Sequence, residues 1–296
     1  MRRAAQLLGL GLLLPVPVTA QSSPRPPSIA LRPAHPNRAS LVWIVVRPAV
    51  GDSILALDGE ASGEPLHFEW HRGAFRSLAG IALDGGDSLA LTLIITRPDE
   101  TDTSVAQLAV GHPLYPSERL TVAPRYVQLD SATQARIDGE VEQARALARE
   151  AHSTPRLWGA PFRPPRPGKV TSRFGTAREF NGAVTTRHLG TDFAGRVGAL
   201  VRASNRGVVG LVAHFYLAGQ AVYLDHGAGL VTGYFHLSRI DVARGDTVAA
   251  GQVIGAVGRT GRATGPHLHW IARYGGITVD PTTLLTLPAP PPSAPK

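Results

Sequence analysis

Apolar positions in the first half of the chain come in short runs separated by turn residues. Leu41-Val42-Trp43-Ile44-Val45-Val46 is apolar throughout, and Leu89-Ala90-Leu91-Thr92-Leu93-Ile94-Ile95-Thr96 is apolar and β-branched. Both are too short for ordinary helices and read as strands. Gly51-Asp52, Asp58-Gly59, Gly73 and Asp84-Gly85-Gly86-Asp87 supply turn chemistry between them. Several short strands within residues 28–127 predict an immunoglobulin-like β-sandwich. No catalytic constellation stands in it. The period then changes. Ser131-Ala132-Thr133-Gln134 has the form of a capping box, and Ile137, Val141, Ala144 and Ala148 follow at helical spacing, predicting a connecting helix over Ala132–Ala151. Pro161-Phe162-Arg163-Pro164-Pro165-Arg166-Pro167-Gly168 predicts a stiff extended linker, so residues 128–168 read as helix and linker. Short β segments resume over residues 169–286, and the proline-rich stretch 287–296 reads as an unpacked tail.

Composition narrows the compartment and the chemistry. The chain has 296 residues, 43% hydrophobic and 18% charged, enough to bury a core in about two domains. Met1-Arg2-Arg3, the apolar run Leu7–Leu14 and the small residues ending at Ala20 make residues 1–20 a secretory signal peptide, with a flexible start over 21–27. The apolar run is far short of the roughly 20 residues that cross a bilayer. An exported protein of the periplasm, cell surface or extracellular space is expected, with no integral membrane segment once the leader is removed. The formal charge is +8, carried by 28 arginines and the two lysines Lys169 and Lys296, which favours an acidic polymer as neighbour. No basic block with interleaved aromatics marks a nucleic-acid site. There is no cysteine, so disulfides and thiol catalysis are excluded and any metal must be held by histidine and carboxylate.

Six of the eleven histidines fall between Lys169 and Trp270. His188-Leu189-Gly190-Thr191-Asp192 sets an imidazole four residues from a carboxylate, in a stretch that favours a strand or bend. In His267-Leu268-His269 the two imidazoles project from one face of a strand. The loop Gly258–Pro266 before them is rich in glycine and can approach a metal or peptide closely. Tyr234-Phe235-His236-Leu237-Ser238 adds another imidazole. In a cysteine-free exported chain, a three-ligand His/Asp zinc site is the economical explanation, with the fourth position left to water.

Residues 166–284 resemble the LytM/lysostaphin-type zinc metallo-endopeptidases, which are peptidoglycan hydrolases. The resemblance rests on Ser172-Arg173-Phe174-Gly175, His188-x-x-x-Asp192, Ala203-x-x-x-Gly207-x-Val209, Asp225-His226-Gly227, Tyr234-x-His236-Leu237-Ser238, Gly245-Asp246-x-Val248-x-x-Gly251-Gln252-x-Ile254-Gly255 and Gly258-x-Thr260-Gly261-x-x-Thr264-Gly265-Pro266-His267-Leu268-His269. It implies a C-terminal antiparallel β-sheet metallopeptidase domain, with one Zn²⁺ per chain held by His188, Asp192 and His269. It implies that His236 and His267 are catalytic, outside the metal's own ligands. Ile271 stands where relatives often carry an acidic residue. His226 is expected in a turn or behind the ligands, and His35, His67, His71, His112, His152 and His214 as scattered solvent-facing residues.

The expected function is therefore a secreted zinc-dependent endopeptidase that hydrolyses peptide cross-links of bacterial peptidoglycan through a zinc-activated water. The alternative is a non-catalytic or latent LytM-domain regulator that activates a cell-wall amidase. Partners expected are the peptidoglycan peptide and, as a further candidate, a regulatory protein. Gly245–Gln252 also resembles the hairpin of biotinyl or lipoyl carriers, but neither lysine lies in it.

Overall fold

The structure, a computed structural model, describes residues 26–288. The signal-peptide reading of residues 1–20 and the tail beyond Pro288 lie outside the described residues. In chain order the strands are β1 Ser28–Arg32, β2 Leu41–Arg47, β3 Ala56–Ala61, β4 Glu64–Pro65, β5 Glu69–His71, β6 Ala74–Gly80, β7 Ser88–Thr96, β8 Thr101–Ala109 and β9 Ser117–Leu120. Helix α1, Ser131–Glu150, follows. The remaining strands are β10 Val170–Ser172, β11 Ala177–Phe180, β12 Val184–Arg187, β13 Thr191–Ala194, β14 Leu200–Arg202, β15 Gly207–Phe215, β16 Gly219–Gly227, β17 Leu230–Ile240, β18 Thr247–Val248, β19 Val253–Val257, β20 His267–Tyr274 and β21 Ile277–Val279.

The first eight strands form two four-stranded antiparallel sheets, ordered β1-β2-β6-β5 and β4-β3-β7-β8. Lettered in sequence, these are sheets ABED and C′CFG, the strand order of an immunoglobulin-type sandwich. Strand β7 shows the pattern of a half-buried strand: Leu89, Leu91, Leu93 and Ile95 face the core while the residues between them face outward. Strand β2 is buried on both faces. Val42, Ile44 and Val46 pack into the sandwich core, whereas Leu41, Trp43 and Val45 pack with Trp158, Tyr274, Val279 and Leu287 in the core of the C-terminal half. That double burial explains why the β2 run is continuously apolar instead of alternating.

The two halves are consequently fused along one seam. Asp280 N donates to Ala39 O at 2.7 Å, Tyr274 Oη to Pro65 O at 2.6 Å and Trp43 Nε1 to Pro288 O at 3.2 Å. Leu287, expected in an unpacked tail, is buried because its side chain completes this seam. The stretch Pro161–Gly168 is irregular, as expected, but it lies against the sheet: Phe162 is buried, Arg163 N bonds Ser204 O at 2.9 Å and Arg202 N bonds Pro165 O at 2.8 Å. His67 and His152, expected to face solvent, are half-buried and stand 2.8 Å apart at the seam, with Glu64 Oε2 3.1 Å from His152.

Helix α1 starts one residue earlier than expected, and its cap is Asp130. Asp130 is extended (φ −79°, ψ 169°) and its carboxylate accepts from Thr133 N at 2.7 Å, leaving Ser131 as the first helical residue. Ile137, Ala144 and Ala148 form its buried stripe and Val141 stays exposed. The C-terminal strands make a ten-stranded sheet with the path β10-β13-β20-β17-β16-β15-β18. Strand β9, within the stretch read from sequence as sandwich, pairs in parallel with β11 of the C-terminal half, and β12 completes this small sheet.

Candidate metal centre and its cleft

Strands β13 and β20 are antiparallel neighbours with Asp192 opposite His269 and Ala194 opposite His267. His267 and His269 share a face of β20, and Leu268 between them is fully buried on the other. On the far side of β20 runs β17, with Phe235 opposite His269 and His236 next in line. His236 has φ +61°, in the left-handed region, at a point where the β16–β17 register shifts. A bulky residue held there is strained, and such strain is kept where it aims a side chain.

His188 arrives from the bend before β13. Its backbone N donates to Thr176 O at 2.9 Å and its carbonyl accepts from Gly175 N at 2.8 Å. The bend passes directly over His269: a Cβ on Gly190 would stand 2.6 Å from Cε1 and Nε2 of that ring and 2.7 Å from Trp270 O. Only glycine permits the approach.

Three potential donor atoms meet at one point. His188 Nε2 lies 3.1 Å from Asp192 Oδ1 and 2.9 Å from His269 Nδ1, and His269 Nδ1 lies 2.8 Å from Asp192 Oδ1. His188 Nδ1 stands 2.9 Å from the carbonyl of Arg173. A carbonyl can only accept, so Nδ1 carries the hydrogen and Nε2 presents a lone pair to the centre. A carboxylate oxygen and an imidazole lone pair aimed at the same spot, with a third ring nitrogen beside them, are an electrostatic conflict that a cation resolves. His188, Asp192 and His269 are the group able to hold a metal ion among the described residues.

Asp192 is fixed from behind as well. Its Oδ2 accepts from Arg178 Nη2 at 2.6 Å, and Arg178 in turn bonds Glu118, whose Oε1 also accepts from Ser172 Oγ at 3.0 Å. Burial alone would raise the Asp192 pKa, but its close polar contacts and charge interactions with the His188 and His269 rings outweigh burial and hold the carboxyl far below the usual range. Burial pushes His269 down to about 4, against the pull of Asp192. Burial, then the nearby His267 and His269, push His236 well below an ordinary histidine.

His236 Nδ1 lies 2.8 Å from Thr260 O and His267 Nδ1 lies 2.8 Å from Gly265 O. Both carbonyls belong to the glycine-rich loop, and both fix the hydrogen on Nδ1. Each ring therefore keeps Nε2 available to the cleft, which has a volume of about 510 Å³ and is lined by all four histidines of the site. The structure thus brings together His188, Asp192, His236, His267 and His269.

His226 stands apart from the cleft, buried in strand β16 between Arg206 O (2.7 Å) and Thr232 Oγ1 (2.8 Å), not in a turn. Neither Glu118 nor Arg178 stands out in the sequence as a residue of the site. Glu118 reaches the cleft only through the β9–β11 pair, which joins segments about 60 residues apart and leaves no local spacing to read.

Residues 186–281 match the profile described as Peptidase family M23. Over 103 residues the chain is 46% identical to the "DD-carboxypeptidase/endopeptidase Mpg" of Neisseria meningitidis, covering 35% of this chain and 24% of that one. Over 83 residues it is 48% identical to "Peptidoglycan DD-endopeptidase ShyA" of Vibrio cholerae, covering 28% and 19%. The chain thus spans a quarter or less of the length of these curated relatives. Among solved structures, a putative peptidase M23 from Pseudomonas aeruginosa superposes with a TM-score of 0.63 at 26% identity, over 84% of this chain and 95% of that one.

Proposed function

Because residues 186–281 belong to peptidase family M23, we propose that the protein is an exported zinc-dependent endopeptidase that hydrolyses peptide cross-links in bacterial peptidoglycan. The observation that carries this reading is the meeting of His188 Nε2, Asp192 Oδ1 and His269 Nδ1 within 3.1 Å of one another, beside two histidines whose Nε2 atoms are left to the cleft. Donors held tetrahedrally on zinc at 2.0–2.2 Å stand about 3.4 Å apart, so the observed triangle needs only a small expansion to fit the ion. The substrate class is supported by the relatives named peptidoglycan DD-endopeptidase. Export rests on reading residues 1–20 as a leader, with the sandwich at 28–127 and the peptidase domain at 169–286. All five family positions are filled, which favours an enzyme over a non-catalytic regulator.

Zinc supplies Lewis acidity, which acidifies water and polarises a peptide carbonyl. The chain's own residues do the rest. Arg178 holds Oδ2 of Asp192 so that Oδ1 stays turned to the centre, and the Arg173 carbonyl fixes the His188 tautomer. Burial keeps His236 neutral at pH 7, so its Nε2 starts as a proton acceptor. One Nε2 of the His236–His267 pair, whose rings lie 4.8 Å apart, takes a proton from the attacking water. An imidazolium of the pair then returns a proton to the leaving amine nitrogen.

The test is release of new amino termini from purified peptidoglycan by the full mature chain, with and without a chelator, beside His269→Ala. Release should stop in both cases and return to the wild type on adding zinc. Release that survives chelation or the substitution would refute the reading.

A further inference from the structure

Arg262 sits in the glycine-rich loop between Thr260 and Gly265, the two residues whose carbonyls hold His236 and His267. Its backbone N bonds Leu217 O at 2.8 Å, which fixes the loop at this point. Its guanidinium lies over the Phe180 ring, 4.3 Å from the centroid, and lines the cleft together with the metal-site residues. Stacking on Phe180 pre-orders the side chain, so little further entropy is lost when its N–H groups find an acceptor.

Among the described residues no such acceptor is in place. Among the described residues the Arg262 side chain forms no hydrogen bond and no ion pair, although it is half-buried. The cleft's acids are engaged elsewhere: Glu118 and Asp192 are both bonded to Arg178. Arg187, the remaining arginine of the lining, bonds the Gly175 carbonyl at 3.0 Å and lies over the Tyr115 ring. The cleft lining thus holds three arginines against two carboxylates, an excess of one positive charge before any metal is counted.

A half-desolvated guanidinium, pre-stacked and lacking a carboxylate, is the form a carboxylate-binding residue takes before its ligand arrives. Building on the peptidase reading, we propose that Arg262 is a specificity-determining residue that binds a free carboxylate of the substrate peptide, so that the enzyme selects acidic peptides over their amidated forms. Because the same loop carries the carbonyls that orient His236 and His267, a carboxylate docked on Arg262 places the peptide within reach of both Nε2 atoms. A peptide whose carboxylates are amidated offers a carbonyl but no charge to pair, and the guanidinium remains partly desolvated without compensation.

The experiment uses two synthetic cross-linked stem-type peptides, one with free carboxylates and one fully amidated, with the full mature chain. Wild type, Arg262→Met and Arg262→Lys are compared by kcat/KM after thermal unfolding confirms that each variant folds. Wild type should favour the free acid by about ten-fold or more, carried mainly by KM. Arg262→Met should bring the ratio close to one, and Arg262→Lys should keep part of it. Binding of both peptides to chelator-treated protein, followed by calorimetry, gives a readout independent of turnover and should show the same preference in wild type and its loss in Arg262→Met. A wild type without preference, or an Arg262→Met variant that keeps it, overturns the proposal. If no peptide is cleaved at all, the peptidase reading fails while the binding measurement still decides the role of Arg262.

Discussion

Lowering the pH should weaken the fold through His226. The ring is fully buried, donates Nδ1–H to Arg206 O at 2.7 Å and meets Thr232 Oγ1 at 2.8 Å, which joins it to the Tyr234 hydroxyl 3.0 Å further on. Phe162 packs edge-on against it, with ring centroids 5.1 Å apart. Burial pushes its pKa down to about 4 from the ordinary 6.5, opposed only weakly by the Arg206 carbonyl. Above pH 6.5 the ring is neutral in both folded and unfolded chains, and its contribution is fully present. As the pH falls below 6.5 the unfolded chain takes up the proton first, so stability is lost until the folded ring also protonates near pH 4. Between about pH 7.5 and about pH 4.5 this linkage amounts to roughly 2.5 kcal/mol. The assay is urea unfolding of chelator-treated wild type and His226→Gln at both pH values. Chelator removes metal linkage, and subtracting the variant cancels every other titrating group. Wild type should lose about 2.5 kcal/mol more than the variant over that interval. Equal losses, to within about 0.5 kcal/mol, would refute the reasoning, whatever the absolute stability of the variant.

Gly190→Ala should displace the His269 ring, since the added Cβ would lie 2.6 Å from two of its atoms; zinc affinity measured against a chromophoric chelator should fall by about ten-fold or more. Arg178→Met removes the bond to Asp192 Oδ2 at 2.6 Å and takes the cation from Glu118, which keeps only the Ser172 hydroxyl, so affinity in the same titration should drop by about 10–100-fold. Asp130→Ala deletes the cap on Thr133 N and should lower the urea midpoint of unfolding, with zinc affinity unchanged.

Legibility followed the range over which each feature is encoded. The His267 and His269 pair could be read because strand period two puts both on one face, and His188 with Asp192 because one bend joins them. Strand β2 was legible as a strand, but its continuous apolar run could not say which two layers it separates. That depends on Trp158, Tyr274 and Leu287, which lie more than 100 residues away. A separation of 85 residues hid the meeting of His67 with His152, and Glu118 entered the cleft by a parallel pairing that carries no local signature. At the helix start, Asp130 and Ser131 are both capable caps, and only the backbone conformation decides between them. Arg262 stood in a recognised motif, yet its lack of an anionic partner is a three-dimensional fact.

Strand β2 makes the chain hard to divide. Cutting the sandwich away would strip the cover from Trp158, Tyr274 and Val279, and cutting the peptidase half away would bare Leu41, Trp43 and Val45 on the sandwich. Either fragment would carry a sticky apolar ridge and tend to self-associate. The intact chain should instead melt as one cooperative unit. A peptidase half intended to stand alone would need that ridge rebuilt with polar side chains first, because the strand serves as common property of both cores.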